Sequence, residues 1–166
     1  MLRNMATQVP YPFTSFNFAV EINVPFIGPK LCNAAFSDCD GLDLSMDVKT
    51  IREGGNNTQQ IRMLGAVNYG VVTLKRGMTS SFDLWDWFDA QQHANPQQLR
   101  SDLRGNVDVV LLAADHKTEL VRFLLNKCLL TKLKAPTLNA KDGIVAIEEM
   151  QLSYQSMSLK RPQGGA

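Results

Sequence analysis

The sequence predicts a mainly β, α+β chain: one β-sandwich or barrel with a single flanking helix. Three observations predict it. Several segments alternate apolar and polar residues, one segment has helical periodicity, and no repeat or shift in composition divides the chain. The chain has 166 residues, 45% hydrophobic and 20% charged, which suits one domain with a sizeable core.

Composition and charge exclude several classes of function. The net charge of +1 argues against strong nonspecific nucleic-acid binding, which depends on many cationic contacts to phosphates. No run of 18 apolar residues predicts a membrane-spanning helix, and the first residues lack the apolar core of a signal peptide. The odd set of Cys32, Cys39 and Cys128 favours reduced thiols in a cytosolic setting, and its spacing fits no metal site.

The N-terminal third predicts an arm followed by a strand. Residues 1–15 contain Pro10 and Pro12 without periodicity and predict an extended N-terminal arm. A strand with one buried face is then predicted, because successive strand side chains point to opposite faces. Its alternating apolar residues are Phe16, Phe18, Val20, Ile22 and Val24.

A second alternation predicts another half-buried strand, with Leu42, Leu44, Met46 and Val48 on its apolar face. Residues 50–69 are polar and glycine-bearing. Because glycine reaches positive φ at little cost, this segment predicts a long protruding loop or hairpin. Strand character resumes at residues 71–74.

Residues 79–92 predict the helix. Thr79, Ser80 or Ser81 would cap it, and Asp83 would lie in the first turn, where negative charge is favoured. An apolar face is predicted to pack on the sheet through Phe82, Trp85 and Phe88. Trp87 would point away from that face. We expect it at a subunit contact, since aromatic residues are enriched in interfaces.

The C-terminal half predicts further strands. Val107, Val109 and Leu111 mark one strand, whereas residues 120–133 permit either a helix or a strand. Residues 144–154 have apolar residues on both faces and predict a strand that is covered on both sides. We place the domain at residues 16–155 and a mobile tail at residues 156–166.

Catalytic and ligand-binding motifs have little support. His93 and His116 lie in no catalytic motif, and the glycines form no phosphate-binding pattern. Glu148 and Glu149 are adjacent on a strand, so they point to opposite faces, one to solvent and one to an interface. Lys75-Arg76 is interpreted as a solvated strand end. The sequence therefore predicts no catalytic residues, no metal and no cofactor.

A series of segments over residues 16–154 resembles the phage tail tube protein family. Residues 16–21 are similar to its opening strand, and residues 36–42 to an F-x-x-V-x-G-L stretch in which Cys39 takes the apolar place. Residues 52–56 resemble the loop that follows, and residues 63–65 an L-P-G segment with leucine in place of proline. The other similar segments are residues 72–77, 85–87, 135–140 and 145–148.

The resemblance implies a β-sandwich or barrel with a flanking helix and a strand over residues 120–133. It also implies a hexameric ring with a continuous β-barrel lumen, and stacked rings that form the inner tube of a contractile phage tail or injection system. The implied partners are the same chain, as a homohexamer, the sheath protein, the baseplate or spike, and tube-terminating proteins. We expect no direct membrane insertion and no specific nucleic-acid binding. Assembly would occur in the cytoplasm, before the chain becomes part of the particle.

The candidate subunit or ring contacts lie in the glycine-bearing loop and on the helix: Arg52, Glu53, Gly54, Gly55, Asn56, Asn57 and Trp87. An alternative role within the same family is that of a tube initiator or baseplate hub adaptor. Two other classes stay open. One is a small-molecule-binding or carbohydrate-binding β-domain that uses Trp85 and Trp87, and the other is a hydrolase that uses His93 or His116.

Overall fold

The computed structural model describes residues 12–25, 27–31, 36–52, 54–55, 60–94, 103–141 and 143–161. These residues form ten strands and one helix, so the mainly β prediction is confirmed. The helix is α1 (Asp83–Gln92). The strands are β1 (Phe18–Val24), β2 (Gly28–Leu31), β3 (Phe36–Asp40), β4 (Leu44–Ile51), β5 (Ile61–Tyr69), β6 (Val71–Gly77), β7 (Gly105–Leu112), β8 (Glu119–Lys134), β9 (Ile147–Ser153) and β10 (Ser156–Lys160).

The long strand β8 joins two halves of one antiparallel sheet. Residues 119–128 of β8 pair with β7, whereas residues 129–134 pair with β9. We call β1, β2, β7, β10 and residues 119–128 of β8 the first half-sheet. The second half-sheet consists of β3, β6, β9 and residues 129–134 of β8. The alternative of a helix over residues 120–133 is excluded.

A left-handed residue marks the passage of β8 from one half-sheet to the other. Lys127 has φ of 53°, and its backbone N–H donates to Asn106 Oδ1 at 3.1 Å. A lysine pays a conformational cost there because its Cβ crowds the backbone. The bend allows both half-sheets to face one core.

The core lies between the half-sheets and α1. The residues of β1 alternate between buried and less buried positions as predicted, because one face of the strand is buried. Strands β6 and β9 alternate in the same way, whereas β7 buries both Val109 and Val110. Phe16, however, lies before β1 and is exposed. The buried apolar residues of these strands include Val20, Ile22, Val24, Val72, Leu74, Val107, Val109, Met150 and Leu152.

Helix α1 begins later than predicted and without a side-chain cap. Phe82 is the N-cap residue, so the predicted capping by Thr79, Ser80 or Ser81 is wrong. Before the helix, the Thr79 hydroxyl accepts instead from the Ser81 N–H at 3.3 Å, and Arg76 Nη2 donates to Ser81 O at 3.3 Å. Asp83 lies in the first turn, as predicted.

The buried face of α1 also differs from the prediction. Trp87 is fully buried together with Leu84, whereas Trp85 is only partly buried and Phe82 is exposed. A Cβ on Gly105 would lie 3.2 Å from the Trp87 ring, so this glycine makes room for the indole. Trp87 Nε1 donates to Leu103 O at 2.9 Å. The assignment of Trp87 to a subunit interface is therefore wrong.

Two predictions for the C-terminal strands need correction. Val145 lies before β9 and is exposed, as is Ile147 within it, so the described residues cover only one face of β9. Residues 156–160, placed in the mobile tail, form β10, which pairs with residues 122–126 of β8. Backbone pairing orders this segment in spite of its polar sequence.

Candidate assembly surfaces

Strands β4 and β5 form a hairpin that is separate from the main sheet. Every residue of β4 is exposed, including Leu44, Met46 and Val48, which were predicted to lie on a buried face. The long protruding loop or hairpin predicted over residues 50–69 is a hairpin, but it begins earlier, at Leu44, and residues 61–69 form its second strand β5. The alternation of β4 thus predicted the strand correctly but not what covers its apolar side.

Five exposed apolar residues of this hairpin share one face, whereas Met63, Ile51 and Ile61 are in phase with Lys49 on the other side. The register pairs Leu44 with Tyr69, Met46 with Val67 and Val48 with Leu64, and directly opposed residues project to the same side. The opposite side carries Ser45, Asp47 and Asn68, and Asn68 Nδ2 donates to Asp47 Oδ1 at 3.0 Å. We define the apolar face of the hairpin as Leu44, Met46, Val48, Leu64 and Val67, each exposed by 39–76%.

This apolar face leads into a groove at the base of the hairpin. The groove has a volume of about 300 Å³ and combines residues of the hairpin base with residues of β8 and β10. It is lined by Leu42, Leu44, Phe123, Met157, Ser158 and Leu159. A contiguous exposed apolar surface of this kind marks a site of protein interaction.

The base of the hairpin is fixed to the main sheet by hydrogen bonds to one carbonyl. Asp43 O accepts from Tyr154 Oη at 3.1 Å and from the Gly70 N–H at 3.2 Å. The rings of Tyr69 and Tyr154 meet edge to face, with centroids 5.6 Å apart. Burial raises the pKa of the Tyr154 hydroxyl. The hairpin therefore projects from a defined point on the core.

The predicted contact loop lies at the tip of this hairpin. Arg52, Gly54 and Gly55 are exposed there, and Gly55 has φ of 96°. Glu53, Asn56 and Asn57 lie outside the described residues. The described part of the loop is thus on the surface, on the same projection as the apolar face of the hairpin.

Sequence reasoning missed an internal ion pair. Arg76 Nε donates to Glu148 Oε1, and both side chains are shielded from solvent. Trp85 Nε1 donates to Glu148 Oε2 at 3.2 Å. The interpretation of Arg76 as a solvated strand end is therefore wrong, and Glu148 lies in the core. The alternation of β6 could have indicated this burial, because Arg76 lies on the same side of the strand as the core residues Val72 and Leu74.

The potential nucleophiles are poorly placed for chemistry. Burial raises the pKa of Cys39 to about 11 and that of Cys128 to about 12, so both remain protonated thiols near neutral pH. His93 lies at the end of α1, with Nδ1 3.0 Å from Asp89 O. In the described parts of the chain, no group of three or more histidine, cysteine or acidic residues could hold a metal.

Among the described residues, neither tryptophan is part of the lining of two surface cavities. One cavity is the apolar groove, and the other, of about 780 Å³, includes Arg104, Asn106 and Lys127 in its lining. Among the residues described, no helix is long and apolar enough to span a membrane.

A sheet-rich domain with one helix and a projecting hairpin is matched by a known family. The sequence profile of the T4-like virus tail tube protein gp19 matches residues 14–158. The chain belongs to this tail tube family. Its function is that of a structural subunit of a tube, and the tube proteins of this family and of its structural neighbours are not enzymes.

Solved structures of contractile particles share the fold. A chain of the anti-feeding prophage (AFP) baseplate superposes with a TM-score of 0.76 at 25% identity, over 92% of this chain and 97% of the other. A chain of the PVC sheath–tube complex in the extended state superposes with a TM-score of 0.75 at 21% identity, over 93% of this chain and 95% of the other. A chain from the AFP tube-terminating cap also superposes with a TM-score of 0.75 at 21% identity, over 95% of this chain and 100% of the other. The comparison with curated proteins found no match.

Proposed function

We propose that six copies of this chain close a ring whose sheets join into a continuous β-barrel around a lumen, and that such rings stack into the inner tube of a contractile phage tail or injection system. The chain acts by assembly and performs no catalysis. Its partners are further copies of itself, an outer sheath, the baseplate or spike, and tube-terminating proteins. Assembly takes place in the cytoplasm, and the tube then becomes part of the particle.

The observation that carries this proposal is the uncovered apolar face of the hairpin, in a chain whose family is that of tube proteins. Apolar surface of this extent costs free energy in water, about 25 cal/mol for each Å² that stays uncovered. The apolar face would be buried against a neighbouring copy. Because the base of the hairpin is held by Tyr154 and Asp43, the face is presented in a fixed direction before assembly.

The loop at the hairpin tip would make the contact between copies or between stacked rings. Arg52, Gly54 and Gly55 are exposed, and Glu53, Asn56 and Asn57 belong to the same loop. Its polar, glycine-bearing sequence suits a surface contact rather than a core. Deletion of residues 54–57 is therefore expected to leave a folded monomer that assembles poorly.

The experiment replaces the apolar face without disturbing the strands. Met46→Thr, Val48→Thr and Leu64→Thr together keep residues that favour strands but remove most of the apolar surface. We expect the concentration needed for ring formation to rise at least about tenfold, since about 1.4 kcal/mol of lost contact energy is enough for that. Lys49→Thr, on the opposite side of β4, is the matched control and should assemble normally. Unchanged assembly of the triple variant, measured by light scattering, would contradict the proposal.

A tube initiator is the second candidate, because one structural neighbour comes from the AFP baseplate at 25% identity. The two roles differ in how far assembly continues. A tube subunit would stack without limit at high concentration, whereas an initiator would stop at a single ring. Electron micrographs of the purified chain separate the two outcomes.

A further inference from the structure

The outer face of the second half-sheet carries charge in ordered rows. One row runs across four strands through Asp38, Lys75, Glu149 and Lys134. The next row runs through Asp40, Thr73, Gln151 and Lys132. Both rows begin with an exposed aspartate on β3 and end with an exposed lysine on β8.

The two rows differ in how their charges are compensated within the chain. Lys75 Nζ lies 2.9 Å from Asp38 Oδ2, so the first row already contains an ion pair next to its acidic end. In the second row the neighbours of Asp40 and Lys132 are uncharged Thr73 and Gln151. Within the second row itself, neither the acidic nor the basic end has an opposite charge as its neighbour, although Asp40 is close enough to raise the pKa of Lys75 in the first row.

Both ends of these rows are edges of the half-sheet. In the described part of the chain, β3 pairs only with β6, and residues 129–134 of β8 pair only with β9, because β7 reaches no further than Cys128. Edge strands present unpaired backbone N–H and C=O groups and recruit another strand unless they are covered. The acidic and the basic edge are thus both able to accept a strand.

The strand directions allow one edge to meet the other in a second copy. Each neighbouring pair in the second half-sheet is antiparallel, so β3 and β8, at the ends of a four-strand sheet, run in opposite directions. If β8 of a second copy is placed beside β3, the antiparallel alternation continues without a break. Repetition of such a head-to-tail contact generates a ring when the rotation closes.

In the proposed ring, the two edges that meet are β3 of one copy and residues 129–134 of β8 of the next. We propose that Asp38 and Asp40 of the first edge, facing Lys132 and Lys134 of the second, set the direction of this joint. The inference rests on the proposed ring. Opposite charges meet only in the head-to-tail arrangement, whereas β3 against β3 or β8 against β8 would oppose like charges. Charge complementarity of this kind gives an interface specificity and a faster association rate rather than most of its affinity.

The test reverses the charge of each edge separately. The first variant carries Asp38→Lys and Asp40→Lys, so that both of its edges are basic. The second carries Lys132→Glu and Lys134→Glu, so that both are acidic. We expect the concentration at which each variant alone forms rings to rise at least about tenfold, because like charges then face each other at every joint. A control with Lys117→Glu and Lys141→Glu has the same change in net charge as the second variant but lies outside both edges, and it should form rings.

Two rescue experiments make the test specific. An equimolar mixture of the two edge variants should form rings in which they alternate, since every joint then pairs a basic with an acidic edge. A chain that carries all four edge substitutions should form rings by itself. Failure of both rescues, with each variant shown to fold by thermal melting, would overturn the inference.

The salt dependence of wild-type rings tests the joint without any substitution. Raising the salt concentration from about 0.05 to about 0.5 M should weaken ring formation, because exposed charge pairs are screened. Ring formation that is equally strong at both concentrations would overturn the inference. If the edge variants also form rings like the wild type, the directed joint is wrong although the proposed function stands. If wild-type protein forms no ring, the proposed function fails and the joint with it.

Discussion

Arg76 on β6 and Glu148 on β9 are directly opposed in the sheet and form an ion pair inside the core. Glu148 also accepts a hydrogen bond from Trp85 on α1, and Arg76 donates to the carbonyl of Ser81 just before that helix. The pair thus connects two strands of the second half-sheet to the helix. Its energetics differ from those of the exposed pairs on the outer face, since both charges are removed from water.

Removal of one member of this pair should lower the free energy of unfolding more than removal of both. Glu148→Ala leaves a guanidinium in the core and should lower the free energy of unfolding by about 3–5 kcal/mol. The double variant Arg76→Met with Glu148→Leu leaves no unpaired charge and should be closer to wild type. Denaturant melts of the singles and the double form a double-mutant cycle. Additive losses would show that the two side chains are not coupled.

The helix offers a matched pair of substitutions. Trp87→Ala removes a fully buried side chain and should cost about 3–5 kcal/mol of stability, the usual range for a buried aromatic residue. Trp85→Ala should cost less, because Trp85 is partly exposed and its main polar contact is with Glu148. The same denaturant melts measure both. A larger loss for Trp85→Ala would contradict the burial of Trp87.

The bend in β8 predicts an unusual tolerance for glycine. Lys127 adopts φ of 53°, a conformation that costs an ordinary residue roughly 1–2 kcal/mol and glycine almost nothing. Lys127→Gly should therefore leave stability unchanged or raise it, whereas Lys127→Val should lower it because a β-branched residue is poorly tolerated there. Thermal melting checks the order of the three proteins. An equal loss of stability from both substitutions would mean that the lysine side chain, rather than the backbone conformation, determines stability at this position.

The turn between β7 and β8 should carry a dependence of stability on pH. The pKa of Asp115 is lowered from 3.8 to about 2, first by the hydrogen bond from the Thr118 hydroxyl and then by backbone N–H groups of Thr118 and Lys117. Because the folded pKa lies below the unfolded one, the contribution to stability is present above about pH 4 and is lost as the pH falls toward 2. Thr118→Val should raise the pKa of Asp115 in an NMR titration. An unchanged titration would contradict the hydrogen-bond assignment.

Much of the fold could be predicted from local alternation. Val20, Ile22 and Val24 face the core because one side of the strand is buried, and the same rule located β7. Strand β6 was predicted from its strand-favouring residues, and β9 from apolar residues on both of its faces. The resemblance to tube proteins, rather than the residues alone, favoured a strand over residues 120–133. The tryptophan face of α1 was misjudged because helical spacing gives the relative directions of Trp85 and Trp87 but not which one meets Gly105.

The candidate site was harder to predict for a physical reason. Leu44, Met46 and Val48 alternate as a buried face does, yet nothing in the described chain covers them. A pattern of apolar residues indicates that a face avoids water but not which chain covers it. Arg76 and Glu148 were misjudged in the opposite way. Charged residues are rarely buried, and only their phase with neighbouring core residues indicated that these two are.

The central claim is that copies of this chain assemble into six-membered rings, and the mass of the assembled species tests it most directly. Light scattering of the purified protein over a range of concentrations, with electron micrographs of the same samples, measures both mass and shape. The account predicts a species of six times the monomer mass that is seen as rings or stacked rings. A monomer at every concentration, with no rings on the micrographs, would contradict it.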